Sequence, residues 1–406
     1  MKTTHVSFEN RDGHLLAALL DRPVDDDPIA YALFAHCFTC SKDSKGVSRI
    51  SRALARQGIG VLRFDFTGLG ASEGAFEDTT FSSNVSDLVD AARFMERELA
   101  APALLIGHSL GGAAVLKAAA GIPSVRAVST IGAPSSPSHL LRHLKPKIEE
   151  IEANGVAEVE LGGRPFRIRR QLLDDIAATG LRESISELGK ALLIFHSPVD
   201  SVVSIDNATE IFVAARHPKS FVSLDTADHL VTDAADAQYV GAVISAWALK
   251  YLDQTQEELK TREPGDDHVI ARTGDAGYRT EIVANGHALV ADEPISVGGT
   301  NTGPSPYELL SAALGACTTM TLRMYADRKG WALEGIEAQV HHAKVHCTDC
   351  GDPENRKSRI DQFDRRLVLE GPLDSDQRQR LLEIADRCPV HRTLHSDVRV
   401  VTELVD

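Results

Sequence analysis

Gly107-His108-Ser109-Leu110-Gly111 is a G-x-S-x-G run that follows the apolar segment 103–106 (ALLI) and opens a segment of helical pattern. A serine on such a strand-to-helix turn rides a strained backbone, and small neighbours let the chain pass close to itself. Gly112, Ala113 and Ala114 continue the small residues, so the helix is expected to press against the sheet. Its N-terminus adds positive potential beside Ser109, favouring negative charge that develops there. The chemistry this suggests is nucleophilic attack by Ser109, although a glycine-rich turn without chemistry would carry the same letters.

The partners of the serine separate these readings. Asp200 lies in HSPVDSVV, after the strand-like segment 191–196, and His229 lies in DTADH, after the segment 220–224. Each follows the C-terminal end of its own strand, where sites of open α/β sheets form. The order Ser, Asp, His also fits a nucleophile on such a turn. Backbone N–H groups for an oxyanion are expected from Leu110 and from Phe38, in His36-Cys37-Phe38 after the segment 30–36. Asp65-Phe66-Thr67-Gly68-Leu69-Gly70-Ala71-Ser72 reads as a structural turn. Cys37 and Cys40 form C-F-T-C beside the expected hole. They are either a thiol pair that gates the site by oxidation or two reduced cysteines packing a loop, and the second is expected.

A second set of candidates lies far downstream. Ser305-Pro306-Tyr307-Glu308 reads as a capping box that opens a helix over 307–327. Leu310, Leu314, Cys317, Thr321 and Met324 recur every three or four residues, which predicts a core-facing stripe containing Cys317. A buried helix cysteine is inert unless a cation stands near it. Cys388 ends another helical segment and precedes Pro389. The run from His341 and His342 through His346, Cys347 and Cys350 offers metal-ligand types but lacks the second pair of a structural zinc site. A polar strand end and loop is expected there, with no metal.

The elements that must position these residues fall into two patterns. Up to about residue 255, short apolar strands (30–36, 58–64, 103–106, 125–131, 191–196, 220–224) alternate with helical segments. That predicts a doubly wound, mostly parallel α/β sheet covered on both faces. Residues 137–185 interrupt the alternation with a charged stretch, a hairpin turning at Gly162-Gly163 and a helix, and are expected to cap the site. The polar run 256–266 is the expected linker. Residues 267–406 then change to an α+β order: strand, long helix, two strands, helix.

Composition agrees with a globular chain. Its 406 residues exceed one ordinary core, and 43% are hydrophobic. The net charge of −15 argues against nucleic acid and anionic membrane surfaces as partners. No apolar run reaches the roughly 18 residues of a membrane span. Six cysteines are sparse for a disulfide framework, so a reducing, cytoplasmic setting is expected.

Residues 1–255 resemble the α/β-hydrolase family over their whole length. The resemblance implies that Ser109 attacks an acyl carbonyl, that His229 takes its proton and that Asp200 orients the imidazole. Cys37 follows His36 where that family usually has glycine. The stretch GTNTGPSPYELLSAALGACTTMTL, followed later by CPVHRTL, is similar to the OsmC and organic hydroperoxide resistance family over about 270–405. That resemblance implies an intertwined homodimer and a peroxidase in which Cys317 is oxidised by a hydroperoxide and Cys388 resolves it. Arg272 and Arg279 are candidates for the activating arginine, with Arg279 preferred. Tyr307 stands where those peroxidases carry a glutamate, and Glu308 comes one residue later.

The leading expectation is a cofactor-free hydrolase of carboxylic esters or related acyl compounds, fused to an OsmC-like domain. One alternative makes the second domain a thiol-dependent organic hydroperoxide peroxidase with a supporting esterase. Another makes it a non-catalytic dimerisation or ligand-binding module. Small-molecule acyl or hydroperoxide substrates and a homodimer through the OsmC-like domain are the expected partners.

Overall fold

A computed structural model describes residues 1–161, 163–252, 269–274, 277–346 and 359–404. The expected linker 256–266, Gly162, Cys347 and Cys350 lie outside the described residues. The chain forms two compact units, Met1–Arg272 with Glu281–Ala288, and Thr273–Thr280 with Leu289–Asp406.

The first unit opens with an antiparallel pair that the sequence reading did not anticipate, β1 (Lys2–Glu9) and β2 (Leu15–Arg22). The alternation follows as β3 (Ala30–Ala35), α1 (Lys45–Arg56), β4 (Ile59–Phe64), α2 (Phe81–Glu98), β5 (Leu104–His108), α3 (Leu110–Ala118) and β6 (Ala127–Ile131). An insertion then carries α4 (Leu140–Leu144), α5 (Ile148–Asn154), the hairpin β7 (Val156–Leu161) and β8 (Arg164–Arg169), α6 (Arg170–Ala178) and α7 (Arg182–Ser186). The core resumes with β9 (Ala191–His196), α8 (Asp206–Ala214), β10 (Lys219–Ser223) and α9 (Ala234–Ala248).

Eight strands form one sheet in the order β1-β2-β4-β3-β5-β6-β9-β10, parallel from β4 onward. Because strand side chains alternate between faces, each apolar strand feeds two cores. Leu33 and Ala35 of β3 pack with Leu88 of α2 and Val115 of α3 on one side. Ala32 and Phe34 pack with Ile50 of α1 and Val240 of α9 on the other. The chain runs outward from β3 in both directions, so a crevice opens at the C-terminal ends of β3 and β5.

One charged group lies deep in this sheet. Arg63 of β4 is 2% exposed, and its Nε donates to Asp21 of β2 at 2.8 Å. Ser51 and Thr3 donate to the same carboxylate. A second buried pair, Lys42 with Asp65 at 2.6 Å, lies beside it, and Arg63 also donates to the Lys42 carbonyl.

Further along the chain, β11 (Val269–Thr273), β12 (Thr280–Ala284) and β13 (His287–Ala291) form a three-stranded sheet. Asn285-Gly286 turns the chain between β12 and β13 with φ of 49° and 77°, the left-handed pair of a tight hairpin. Buried Asp292 accepts the hydroxyl and N–H groups of both Thr300 and Thr302. Those bonds, the Thr300 hydroxyl foremost, hold its carboxyl well below the usual range and fold the loop leading to α10 (Pro306–Lys329). The long strands β14 (Gly335–His346) and β15 (Arg359–Glu370) pair antiparallel, and α11 (Ser375–Ala385) and α12 (Pro389–Leu394) complete the α+β order.

The stripe expected on α10 is corrected. Its buried positions include Leu314, Thr318, Leu322 and Ala326, while Cys317 is only half-buried and Met324 is 69% exposed. The helix carries apolar or small residues on more than one side, and the core of Leu333, Leu381, Ile384 and Ala385 covers a single side of it.

Replacing Arg63 with Met leaves the Asp21 carboxylate buried without its cation. Urea unfolding of this variant is expected to show a loss of about 3–5 kcal/mol, whereas Asp21→Asn added to Arg63→Met recovers part of it. Equal losses for the single and double variants would show that the ion pair is not what holds β2 to β4.

Candidate active site

Ser109 sits between β5 and α3 with φ of 54° and ψ of −126°, a conformation that L residues rarely adopt. Its N–H donates to the Ile131 carbonyl at the end of β6, 2.8 Å away. The glycines around it have steric reasons. A Cβ on Gly107 would lie 2.4 Å from the Gly111 carbonyl oxygen, one on Gly111 2.4 Å from that of His36, and one on Gly112 2.5 Å from the Ala133 Cβ.

The three expected residues meet. His229 Nε2 lies 2.9 Å from Ser109 Oγ, and His229 Nδ1 lies 2.7 Å from Asp200 Oδ2. The other Asp200 oxygen accepts the N–H groups of Val202 and Val203 at 2.8 and 2.9 Å. Burial alone would push the Asp200 carboxyl up, but the bonds from His229 and Val203 outweigh it and hold the group below its usual range. A carboxylate acceptor requires the proton of that pair on Nδ1, which leaves Nε2 as an acceptor facing the serine hydroxyl.

Three further histidines hold the loops of this site and were not singled out in the sequence. His36 Nδ1 lies 2.7 Å from the Cys37 carbonyl, His108 Nε2 2.6 Å from the His229 carbonyl, and His196 Nε2 2.8 Å from the Val203 carbonyl. A carbonyl only accepts, so each of these nitrogens carries the proton. All three rings are buried. Burial first, then the neighbouring His229, lowers the His108 pKa from 6.5 to about 4, and burial lowers that of His36. The signal in the sequence is that the apolar runs AYALFAH, LLIGH and ALLIFH each end in histidine.

The turn at 65–72 is structural, as expected. Asp65 accepts from the backbone of Lys42 and Ala71, and Gly68 and Gly70 have φ of 74° and 57°. The reduced state expected for Cys37 and Cys40 is corrected, because the two are joined in a disulfide. A turn in which Cys40 N–H donates to the Cys37 carbonyl brings their Cα atoms to 5.2 Å, within disulfide reach. Cys37 is not among the residues with left-handed φ, so the absent glycine leaves no backbone strain.

A cavity of about 590 Å³ opens over Ser109. Phe38 and Leu110 line it, together with His139, Leu140, Leu161 and Arg164 from the insertion, so that segment covers the site.

In the second unit, Cys388 is fully buried and lies 3.6 Å from the Thr318 hydroxyl. Arg365 of β15 meets the same Thr318 hydroxyl. Arg365 donates to Thr318 Oγ1 at 2.8 Å, to the Ala385 carbonyl at 3.1 Å and to Asp386 at 2.7 Å. Arg279 lies half-buried just before β12, and Arg272 lies exposed on β11. The Glu308 carboxylate accepts the Ser305 N–H at 2.7 Å, and this bond, the largest cause, lowers its pKa. Tyr307 stacks on His342 at 4.2 Å, and His342 bonds Asp361 at 2.8 Å.

Residues 32–295 match the family described as alpha/beta hydrolase family, and residues 299–403 match the one described as OsmC-like protein. Among solved structures, the esterase domain of a Rhodothermus marinus protein is 53% identical with a TM-score of 0.52, over 62% of this chain and 100% of that one. Est1E from Butyrivibrio proteoclasticus with ferulic acid bound is 19% identical with a TM-score of 0.51, over 61% of this chain and 100% of that one. The alpha/beta hydrolase GrgF from Penicillium sp. sh18 is 16% identical with a TM-score of 0.54, over 63% and 100%. The last two show the fold alone. No curated protein matches the chain. No helix among the described residues is long and apolar enough to cross a membrane. The chain belongs to the α/β-hydrolase family, and an OsmC-like domain follows its hydrolase fold.

Proposed function

We propose that the first unit hydrolyses carboxylic esters through Ser109, His229 and Asp200. The observation that carries this reading is the unbroken contact from Ser109 Oγ through His229 to Asp200, at 2.9 and 2.7 Å. Ser109 Oγ adds to the acyl carbonyl carbon while its proton passes to His229 Nε2. The oxyanion is met by the N–H groups of Leu110 and Phe38, each worth about 3–4 kcal/mol of barrier by analogy with single-donor deletions. Collapse expels the alcohol, protonated by His229. Water then attacks the acyl-serine, gives its proton to His229, and releases the acid and Ser109. Asp200 holds the Nδ1 proton and stabilises the imidazolium.

A second activity is proposed for the OsmC-like unit, supported by the match over 299–403 and by the Arg365–Thr318–Cys388 contacts. The Cys317 thiolate attacks the distal oxygen of an organic hydroperoxide, giving a sulfenic acid and an alcohol. The Cys388 thiol displaces water from it to form a disulfide, which a dithiol reduces.

Ser109→Ala is expected to lose the covalent adduct with a fluorophosphonate and at least about a thousandfold in kcat on short p-nitrophenyl esters. An adduct retained on that variant, or none on folded wild type without turnover, would overturn the esterase reading.

His108 supplies a pH test. Its imidazole is neutral when folded down to about pH 4 but takes a proton near pH 6.5 when unfolded. The unfolded chain therefore binds the extra proton, and stability is lost as pH falls from about 6.5 to about 4, by up to about 1.4 kcal/mol per unit. His108→Gln should be less stable than wild type at pH 7, with the difference shrinking toward pH 4 in urea titrations. A difference that does not change with pH would count against the buried neutral imidazole.

Cumene hydroperoxide should be consumed in the presence of dithiothreitol, and Cys317→Ser should abolish this. Turnover independent of Cys317 would leave the second unit as a non-catalytic module.

A further inference from the structure

We infer that Arg164 is an anion subsite of the Ser109 cavity, so that the preferred substrates are esters carrying a free carboxylate apart from the scissile bond. The inference rests on the esterase reading above and names the substrate class of that site.

The cavity wall is chiefly apolar, with Phe38, Leu110, Leu140, Leu161 and Val203 among its lining residues. Among the described residues that line it, none is a carboxylate, and Arg164 alone carries a charge that does not titrate. Its neighbours on β8 show what an arginine ordinarily finds on this acidic chain. Arg167 pairs with Glu77 at 3.0 Å, and Arg169 pairs with Glu77 and Asp78. Arg164 meets no carboxylate among the described residues. It donates instead to the Thr39 carbonyl and lies over the Phe166 ring, 5.6 Å from its centroid.

These two contacts hold the guanidinium. Phe166 packs on Phe76 at 4.8 Å, and Phe76 on Phe38 at 5.2 Å, so the ring under Arg164 is tied to the loop expected to hold the oxyanion. A guanidinium has five N–H donors in a rigid fork, and one carbonyl cannot engage them all. The remaining donors match a carboxylate, which accepts two parallel bonds. A fixed, unneutralised cation in an apolar cavity with the nucleophile thus recognises a substrate with an ester at one end and a carboxylate at the other. Monoesters of dicarboxylic acids have that form. Arg164 is itself exposed, so the attraction is screened by salt and is smaller than for a buried pair.

The test uses the full chain and p-nitrophenyl monoesters of dicarboxylic acids of four to eight carbons, each beside the neutral p-nitrophenyl ester of the same length. At low salt, kcat/KM for at least one monoester should exceed that of its neutral counterpart by about tenfold, the scale of one charge-assisted hydrogen-bonded pair. The ratio should fall toward one in Arg164→Met, persist in part in Arg164→Lys, invert in Arg164→Glu, and decline with added salt. Neutral esters turned over as well as every monoester, or a preference unchanged in Arg164→Met, would overturn the inference while leaving the esterase reading intact. Turnover of both series that survives Ser109→Ala would instead overturn the esterase reading, and the inference with it.

Discussion

The arrangement of the first unit depends on one strained residue. Ser109 holds a φ of 54° at the junction of β5 and α3, a conformation that costs about 1–3 kcal/mol and persists only where its surroundings over-determine it. Here they do. The Ser109 N–H is fixed to the Ile131 carbonyl, and the Gly112 N–H to the Ser109 carbonyl, both at 2.8 Å. Gly111 comes so near the end of β3 that a methyl group would strike the His36 carbonyl, and Gly112 comes equally near Ala133, just beyond β6. The turn is wedged among three strand ends. The strain is held by the packing of the whole sheet, and the hydroxyl is presented at the crevice between β3 and β5.

The nucleophile proposed at Ser109 serves only if its proposed partners are as well placed, and these lie on loops. Loops of polar residues are the mobile parts of a fold unless something ties them down. The structure ties them with histidines rooted in the sheet. His36, His108 and His196 close β3, β5 and β9, and each donates to a carbonyl on a loop that the site needs. A neutral imidazole suits this task. It bonds a buried carbonyl without bringing a charge into the core, and its reach extends past the end of the strand. At His108 and His36 burial makes protonation costly, which links the order of the site to pH.

Much of this was legible because it follows from period and punctuation. Continuous apolar runs became parallel strands, buried in β3 to β6 and β9 and half-exposed in the edge strand β10, and residues after their ends form the candidate site. The β1–β2 pair was missed because β1 is an edge strand whose polar and apolar residues alternate along a half-exposed face, KTTHVSFE. The Cys37–Cys40 disulfide was missed because C-x-x-C spacing brings two sulfurs within reach whether or not they are joined. Arg365, which bonds the Thr318 hydroxyl, lies far from it in sequence on β15, and nothing local marks it among the many arginines of this chain. The stripe on α10 was misplaced because Ala312, Ala313, Ala316, Met320 and Met324 make the helix apolar or small on several sides. Period alone then does not say which side meets the core, and Met320 and Met324 are left 65% and 69% exposed.

The loop from Cys37 to Ser44 shows how such constraints combine. It is held at its root by the His36–Cys37 bond and across its turn by the disulfide. Its far end is fixed by Lys42, whose ammonium and N–H both meet buried Asp65 and whose carbonyl accepts from Arg63. A buried ion pair contributes little net stability against apolar residues of the same shape, because desolvation cancels most of the attraction. Its value is directional, since a buried carboxylate tolerates only arrangements that keep its donors in place. Arg63, Asp21, Lys42 and Asp65 therefore fix where the loop leaves the sheet, and the disulfide narrows what the loop does next. Phe38 lies between these anchors along the chain, and its ring adds a contact of its own with Phe76, 5.2 Å away.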